Sequence, residues 1–248
     1  MPTRSIAEHY DQHLAEHYSW LFGGLPERVQ ENLRTFEALG LKPAASARAL
    51  DIGAGSGFQS IPLARLGYSV TAVDLSRKLL GELSAHAEGL PIVTVCDDIL
   101  RWVGSAAAPR ELELCVCMGD TLTHLPSFGD VQRLLRELHR MLLPGGRAVF
   151  AFRDFTEELV GEARFIPVRS DEHAIFTCFL EYEGDHVRVY DVIHVRRASD
   201  QHWDMRVSSY KKLRIAPDWF AKRATEAGFA IDRKSDERGM VTIVMHKA

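Results

Sequence analysis

The sequence predicts an α/β protein. A doubly wound, mostly parallel sheet is preceded by a helical N-terminal segment and interrupted late in the chain by an antiparallel β insert. Three observations predict this. Between residues about 46 and 160, short runs of Val, Ile, Leu, Ala and Cys alternate with helix-period segments. Most of those runs are apolar on both faces, as strands covered by helices on both sides must be. Residues about 164 to 215 instead hold long β-rich runs with no helical pattern between them.

The elements follow in order. Residues 1 to about 45 read as helical, with Tyr10, His13, Leu14, His17, Tyr18 and Leu21 at helical spacing. Strand runs are Arg48–Ile52, Ser69–Asp74, Ile92–Cys96, Glu111–Met118 and Arg147–Phe152. Helical patterns over Gly57–Leu66, Ser76–Glu88 and Phe128–Leu143 link them. Ser76 is placed to cap the second of these and Asp130 to start the third, while Pro144-Gly145-Gly146 is placed to stop it. Strand–helix–strand steps impose right-handed crossovers and so a parallel sheet. Glu183-Gly184-Asp185 signals a tight turn, and residues 173–183, 186–196 and 204–215 predict a hairpin or three-stranded meander. Ala216–Ala227 reads as a helix closing at Gly228. Phe229–Arg233 and Val241–His246 read as the last strands, around Glu237-Arg238-Gly239. The expected organisation is one domain over 1–248: a lid (1–45), a core (46–163), an insert over the site (164–215), and the last helix and two strands (216–248).

Composition narrows the class. The 248 residues carry 30 Lys+Arg against 34 Asp+Glu, a net charge of −4. That balance does not suit a nucleic-acid coat. No run of about 18 apolar residues is present, so no transmembrane helix is expected. The first residues lack the apolar core of a secretory signal. The four cysteines, Cys96, Cys115, Cys117 and Cys178, read as reduced core residues of a cytoplasmic protein. No His/Cys cluster has zinc-ligand spacing, so no metal is expected.

The strongest motif is Asp51-Ile52-Gly53-Ala54-Gly55-Ser56-Gly57, which follows a strand and opens a helix. Glycines let backbone approach a ligand closely, and helix N–H groups favour an anionic group. The dinucleotide fingerprint needs a third glycine at the position held by Phe58. A carboxylate at the strand end suits a ligand carrying an ammonium and a sulfonium better than a pyrophosphate.

These residues resemble the first motif of class I S-adenosylmethionine-dependent methyltransferases, which implies a seven-stranded Rossmann-like sheet. By that resemblance Asp51, Gly53, Ala54, Gly55 and Gly57 hold the methionine portion. Asp74, 17 residues after Gly57, with Leu75 beside it, matches the acid that grips the ribose hydroxyls. Asp97 and Asp98 match the adenine-amine position and Ile99 the wall beside the ring, although one of the two acids is also placed to cap the turn Ile99–Trp102. Met118, Gly119 and Asp120 resemble the fourth motif, under the methionine portion. Leu142-Leu143-Pro144-Gly145-Gly146 resembles the turn into the fifth strand. The likeness covers roughly residues 48 to 153. The expected cofactor is S-adenosylmethionine, with S-adenosylhomocysteine as product.

The loop Gly119–Leu125 is similar to that of glycine/sarcosine N-methyltransferase-like enzymes. This implies a small-molecule acceptor methylated on nitrogen or oxygen, in a monomer or homodimer without nucleic-acid or membrane partners. A Pro-Pro-aromatic motif and a metal-binding acid cluster, marks of other branches, are absent. In related enzymes a Tyr-rich N-terminal segment closes over the cofactor, which makes Tyr10, Tyr18 and Trp20 candidates here, since aromatic faces suit a sulfonium. His124 is the general-base candidate. Arg153, alone or with Arg169, Arg188 or Arg214, is placed to hold an anionic acceptor, or else to pair with Asp154 or Glu157. From Arg196 to Arg238 there are 11 basic and 7 acidic residues, which suits an anionic acceptor or a solvated face equally. The rival readings are an NAD-type oxidoreductase and a non-catalytic S-adenosylmethionine-binding regulator.

Overall fold

A computed structural model describes residues 6–197, 199 and 202–248. The N-terminal segment is helical but broken: α1 (Ile6–His9), a π turn (Tyr10–Leu14), a 3-10 turn (Ala15–His17) and α2 (Tyr18–Leu21) precede α3 (Leu25–Ala38). Then come β1 (Arg48–Ile52), α4 (Ser60–Arg65), β2 (Ser69–Asp74), α5 (Arg77–His86), β3 (Ile92–Cys96), α6 (Ile99–Val103), β4 (Leu112–Cys117), α7 (Phe128–Met141) and β5 (Leu142–Arg153). The insert holds β6 (Phe165–Ser170), β7 (Ala174–Glu183), β8 (His186–Arg196) and β9 (Trp203–Leu213), and α8 (Pro217–Glu226), β10 (Phe229–Glu237) and β11 (Met240–Lys247) close the chain.

The main sheet has seven strands in the order β10-β11-β5-β4-β1-β2-β3. The pairs among β1 to β5 are parallel, and β11 runs antiparallel to both β5 and β10. Strand order reverses between β1 and β4, and open α/β sheets place their ligand crevice at such a point. The apolar-on-both-faces reading of β1 and β4 holds: Leu50, Ile52, Cys115 and Cys117 pack on one side, Ala49, Leu114 and Val116 on the other. The amphipathic stripe of α7 (Val131, Leu134, Leu135, Leu138) is fully buried in the first of these cores.

Several expectations need correction. The insert is a four-stranded antiparallel sheet in the order β6-β7-β8-β9, not a two- or three-stranded unit. Strand β6 escaped notice because Pro167 and the basic and polar residues around it hide its period, and an irregularity in its pairing lies between Pro167 and Arg169. Helix α7 is capped by Ser127, whose Oγ accepts the Asp130 N–H at 3.2 Å, so Asp130 is the third helical residue. The helix also ends before Pro144-Gly145-Gly146. Leu142 already pairs with Leu112, and the glycines sit at a register shift inside β5. Ser76 caps α5 as expected. Cys115 and Cys117 are core, but Cys96 is exposed and Cys178 half-buried. No helix among the described residues is long and apolar enough to cross a membrane.

Candidate functional site

The loop from β1 to α4 is built around left-handed backbone. Gly53, Gly55 and Gly57 have φ of +72°, +53° and +96°, a region that side-chain-bearing residues avoid. Space is restricted as well. A Cβ on Gly53 would overlap the Thr121 side chain, and one on Gly55 would sit 3.4 Å from the Tyr18 ring. The loop is tied to the next strand: Gly53 N–H donates to Val73 O at 2.8 Å, and Gly55 N–H donates to Asp74 Oδ2 at 2.8 Å. Asp74 Oδ1 accepts the Ser76 N–H at 2.7 Å. Burial raises the Asp74 pKa against these hydrogen bonds. Asp51 is buried beneath the loop, with Oδ2 accepting from Ser60 Oγ at 2.6 Å and Oδ1 without a partner. Burial pushes its pKa up to about 7, and the Ser60 hydrogen bond opposes that shift.

The broken N-terminal segment lies on this loop. Tyr18 stacks on Phe58 with centroids 5.6 Å apart, Ser19 Oγ donates to Glu82, and Ser76 Oγ donates to Asp11. On its other side the segment meets the insert. The buried His9 bonds Asp191 Oδ2 at 3.0 Å and Ser208 Oγ at 2.8 Å. Tyr10 and Tyr18 face the space between the two sheets, but Trp20 does not. Its indole N–H donates to Asp171 at 2.6 Å, and the Arg169 guanidinium lies 5.4 Å from its ring centroid.

Between loop, lid and insert lies a cavity of about 520 Å³, an ordinary size for a small-molecule site. Its cofactor side shows Gly53, Met118, Gly119, Asp120 and Tyr18; its roof is apolar, with Phe176, Leu180 and Val189 from β7 and β8. Arg28 and Asn32 of α3 close one side, residues that the sequence did not single out. Arg28 Nε is buried without a partner. Lys212 of β9 enters from the roof, 93% covered on its side chain, and donates to Asp120 Oδ2 at 2.6 Å. Burial alone would raise the Asp120 pKa, but the Lys212 ammonium holds it down to about 2. Lys212 was hidden in a locally basic stretch that reads equally well as solvated.

The remaining predicted site residues divide by position. Arg153 lines the floor, its backbone N–H donates to Asp120 Oδ1 at 3.0 Å, and its guanidinium makes no ion pair among the described residues. The expected alternative, a salt bridge from Arg153 to Asp154 or Glu157, does not form among the described residues, and two of the arginines expected to share an acceptor with it have partners of their own. Arg188 pairs with Glu183, and Arg214 pairs with Glu158 and bonds the carbonyls of Phe155, Thr156 and Gly184. His124 lies one contact behind the wall, its Nε2 sharing a 3.1 Å hydrogen bond with the Tyr10 hydroxyl, which does face the cavity. Burial first, then Lys212, lowers the His124 pKa to about 3. Asp98 caps α6 by accepting the Arg101 N–H at 2.9 Å, while Asp97 bonds the Arg101 guanidinium at the strand tip. Ile99 is buried beside them, and Ala54, Gly55, Gly57 and Leu75 lie along the lid-covered crevice rather than in the cavity wall. No group of three metal-ligating side chains is present among the described residues.

The donor set fits the nucleoside cofactor that the motif implies. The loop excludes side chains, the half-buried Asp74 carboxylate stands at the β2 tip, and Asp51 Oδ1, Ser56 Oγ and Arg28 Nε are buried polar atoms without partners, each needing a reason in a folded protein.

Residues 49–146 match the family model of a methyltransferase domain. A ubiquinone biosynthesis O-methyltransferase of Ralstonia nicotianae is 30% identical over 109 residues, which are 44% of this chain and 44% of that one. The chain thus spans less than half the length of that relative. Among solved structures, the CcbJ methyltransferase of Streptomyces caelestis superposes with TM-score 0.75 at 19% identity, over 98% of this chain and 96% of that one. CalS10, an amino pentose methyltransferase from Micromonospora echinaspora solved with S-adenosylmethionine bound, gives TM-score 0.72 at 15% identity, over 95% and 97%. None of these singles out the glycine/sarcosine branch. Residues 49–146 thus match a methyltransferase domain, and the chain carries the fold of the class I S-adenosylmethionine-dependent methyltransferases.

Proposed function

We propose that this chain transfers the methyl group of S-adenosylmethionine to a small molecule held in the cavity between the two sheets, and that the accepting atom is an amine nitrogen. The observation that carries the choice of nitrogen over oxygen is the state of His124. It is a buried imidazole, with Tyr10 on Nε2, no partner on Nδ1 and a pKa near 3. Such a ring stays neutral and is too weak a base to take a proton from an alcohol. An amine that enters neutral has its lone pair ready and needs no such base.

When bound, the cofactor supplies an electrophilic methyl on a sulfonium. The amine lone pair would take that methyl, S-adenosylhomocysteine would leave as the thioether, and the proton of the new ammonium would pass to water. The chain's own residues supply position. Gly53, Ala54, Gly55 and Gly57 would let backbone meet the methionine portion, with Asp51 fixing the loop from below and Met118, Gly119 and Asp120 beside it. Asp74 and Leu75 would hold the ribose, and Asp97, Asp98 and Ile99 the adenine. Tyr10, backed by His124, would orient the amine, and Asp191 in the roof offers a carboxylate for its hydrogens. Arg153 would take an anionic group of the acceptor. The lid excludes water from an in-line displacement that depends on alignment. We place the reaction in the cytoplasm.

The experiment pairs amino compounds with their hydroxy isosteres as acceptors and follows formation of S-adenosylhomocysteine. Turnover confined to the amino series supports the reading, with the rate rising with pH as the free amine deprotonates and showing no step near the ordinary imidazole pKa. Preferential methylation of the hydroxy series refutes it.

A further inference from the structure

Two registers build the floor and the roof of the cavity. On the floor, Ala151 opposes Thr242 and Arg153 opposes Met240, and all four line the cavity. Phe152 turns to the other face, against Phe220. On the roof, Val187, Val189, Asp191 and Ile193 of β8 are buried and the residues between them are not. Asp191 opposes Cys178 and Ser208, Val189 opposes Leu180 and Tyr210, and Val187 opposes Lys212. The roof therefore changes character across its strands. Strand β9 brings Ser208, Tyr210 and Lys212; Lys212 bonds Asp120, and the Tyr210 ring lies 5.2 Å from that of His124, the partner of Tyr10. Toward β6 the wall is Ile166, Val168, Phe176 and Leu180. In that half the Cys178 thiol is committed to Asp191 Oδ1 at 3.1 Å, and Thr242 supplies a hydroxyl from the floor.

We infer that the acceptor is an amine on an aromatic or aliphatic body that also bears a carboxylate, and not a polyhydroxylated amine; this rests on the methyl-transfer reading above. The amine belongs at the polar end, where the Tyr10 hydroxyl and the Asp191 carboxylate face the cavity. From β8 to β6 is two strand spacings, about 10 Å, the reach of one ring with a short substituent. A hydrocarbon body along that path covers Ile166, Phe176 and Leu180 and leaves water with them. A sugar-like body would bring several hydroxyls to the same wall, and each one buried without a partner lowers affinity by about tenfold. The carboxylate follows from the two cations nearest this space. Lys212 is committed to Asp120. Arg153 makes no ion pair among the described residues and stands on the floor beside Met240, and its planar fork matches a carboxylate with two parallel hydrogen bonds.

The test is calorimetric binding to the full chain loaded with S-adenosylhomocysteine. The probes are para-(aminomethyl)benzoate and muramate, which both carry an amine and a carboxylate and differ in the body, with para-methylbenzylamine as the amine that lacks the acid. The result expected is that the benzoate binds at least about tenfold tighter than muramate. Arg153→Gln should erase the advantage of the benzoate over para-methylbenzylamine. Ile166→Asn should weaken the benzoate by about tenfold and leave S-adenosylhomocysteine affinity within about twofold, with a melting curve showing the variant folded. Val168, exposed on the edge strand, gives the substitute Val168→Asn if Ile166→Asn does not fold. A loaded protein that binds muramate as well or better, that does not bind the benzoate at millimolar concentration, or whose folded variants bind both probes unchanged overturns this inference alone. Failure to load with S-adenosylhomocysteine overturns the methyl-transfer reading, and this inference with it.

Discussion

Asp51, Asp74, Tyr10 and His124 show what a single residue can reveal. Asp51 and Asp74 stand out in the sequence because acids are rare at the ends of apolar runs, and the structure gives each a distinct setting. Asp74 accepts the Gly55 N–H of the glycine loop on one oxygen and the Ser76 N–H of its own loop on the other. Asp74→Ala should weaken S-adenosylhomocysteine binding by about 2 to 3 kcal/mol by calorimetry, as expected for lost charge-assisted hydrogen bonds; unchanged affinity rejects the ribose role. Asp51 bears on stability. Its folded pKa of about 7 lies above that of an unfolded aspartate. From pH about 4 to 7 the unfolded chain gives up this proton while the folded one keeps it, so stability falls as pH rises through that window and stays lower above it. Asp51→Asn should therefore raise the melting temperature at pH 8 more than at pH 5, while weakening cofactor binding. Tyr10→Phe should lower kcat and leave S-adenosylhomocysteine affinity within about twofold, because the hydroxyl meets His124 and the acceptor space rather than the glycine loop. Tyr10 and His124 were each candidates on their own, but their pairing was not legible, because 114 positions separate them and no local pattern joins them.

Periodicity gave the elements and chemistry set their ends. Strands β1 and β2 match their expected bounds because burial leaves a nearly continuous apolar run, while β3, at the sheet edge with Val93 65% exposed, matches on its β-branched residues alone. Helix α7 starts at the expected Phe128, under a Ser127 cap rather than Asp130, and ends at Met141 because Leu142 is already paired with Leu112 before the proline–glycine turn. Ser127→Ala should cost about 1 kcal/mol in urea unfolding, the usual value of such a cap. The lid is the element least visible in sequence. Its helical spacing is real, yet the path passes through a π turn at Tyr10–Leu14, which aims His9 at the insert and Tyr10 at the cavity. His9→Leu removes the anchor to Asp191 and Ser208 and should speed S-adenosylhomocysteine release in stopped-flow measurements, with little change in the melting temperature of the core.

At the scale of the whole molecule, the glycine loop announced the main sheet, while the insert's strand number and the place of Lys212 depended on long-range pairing that no window of sequence contains. One measurement checks the molecule as a unit. S-adenosylhomocysteine at about 100 times its Kd should stabilise the fold by about 2.7 kcal/mol, several degrees in Tm for a chain of this size, and NAD should not. Strand β8 carries a further consequence. Odd-numbered positions such as Asp191 and Ile193 look toward the reaction, and even-numbered ones such as Val192 and His194 look toward solvent. Adding one amino acid near the start of this strand would turn every following side chain over, setting an acid on the oily exterior and an oily residue over the chemistry. Length changes in the insert should therefore be tolerated at its hairpin tips and prove lethal along its rails, whereas point changes of a given parity would touch either the acceptor space or the outer surface without disturbing the other.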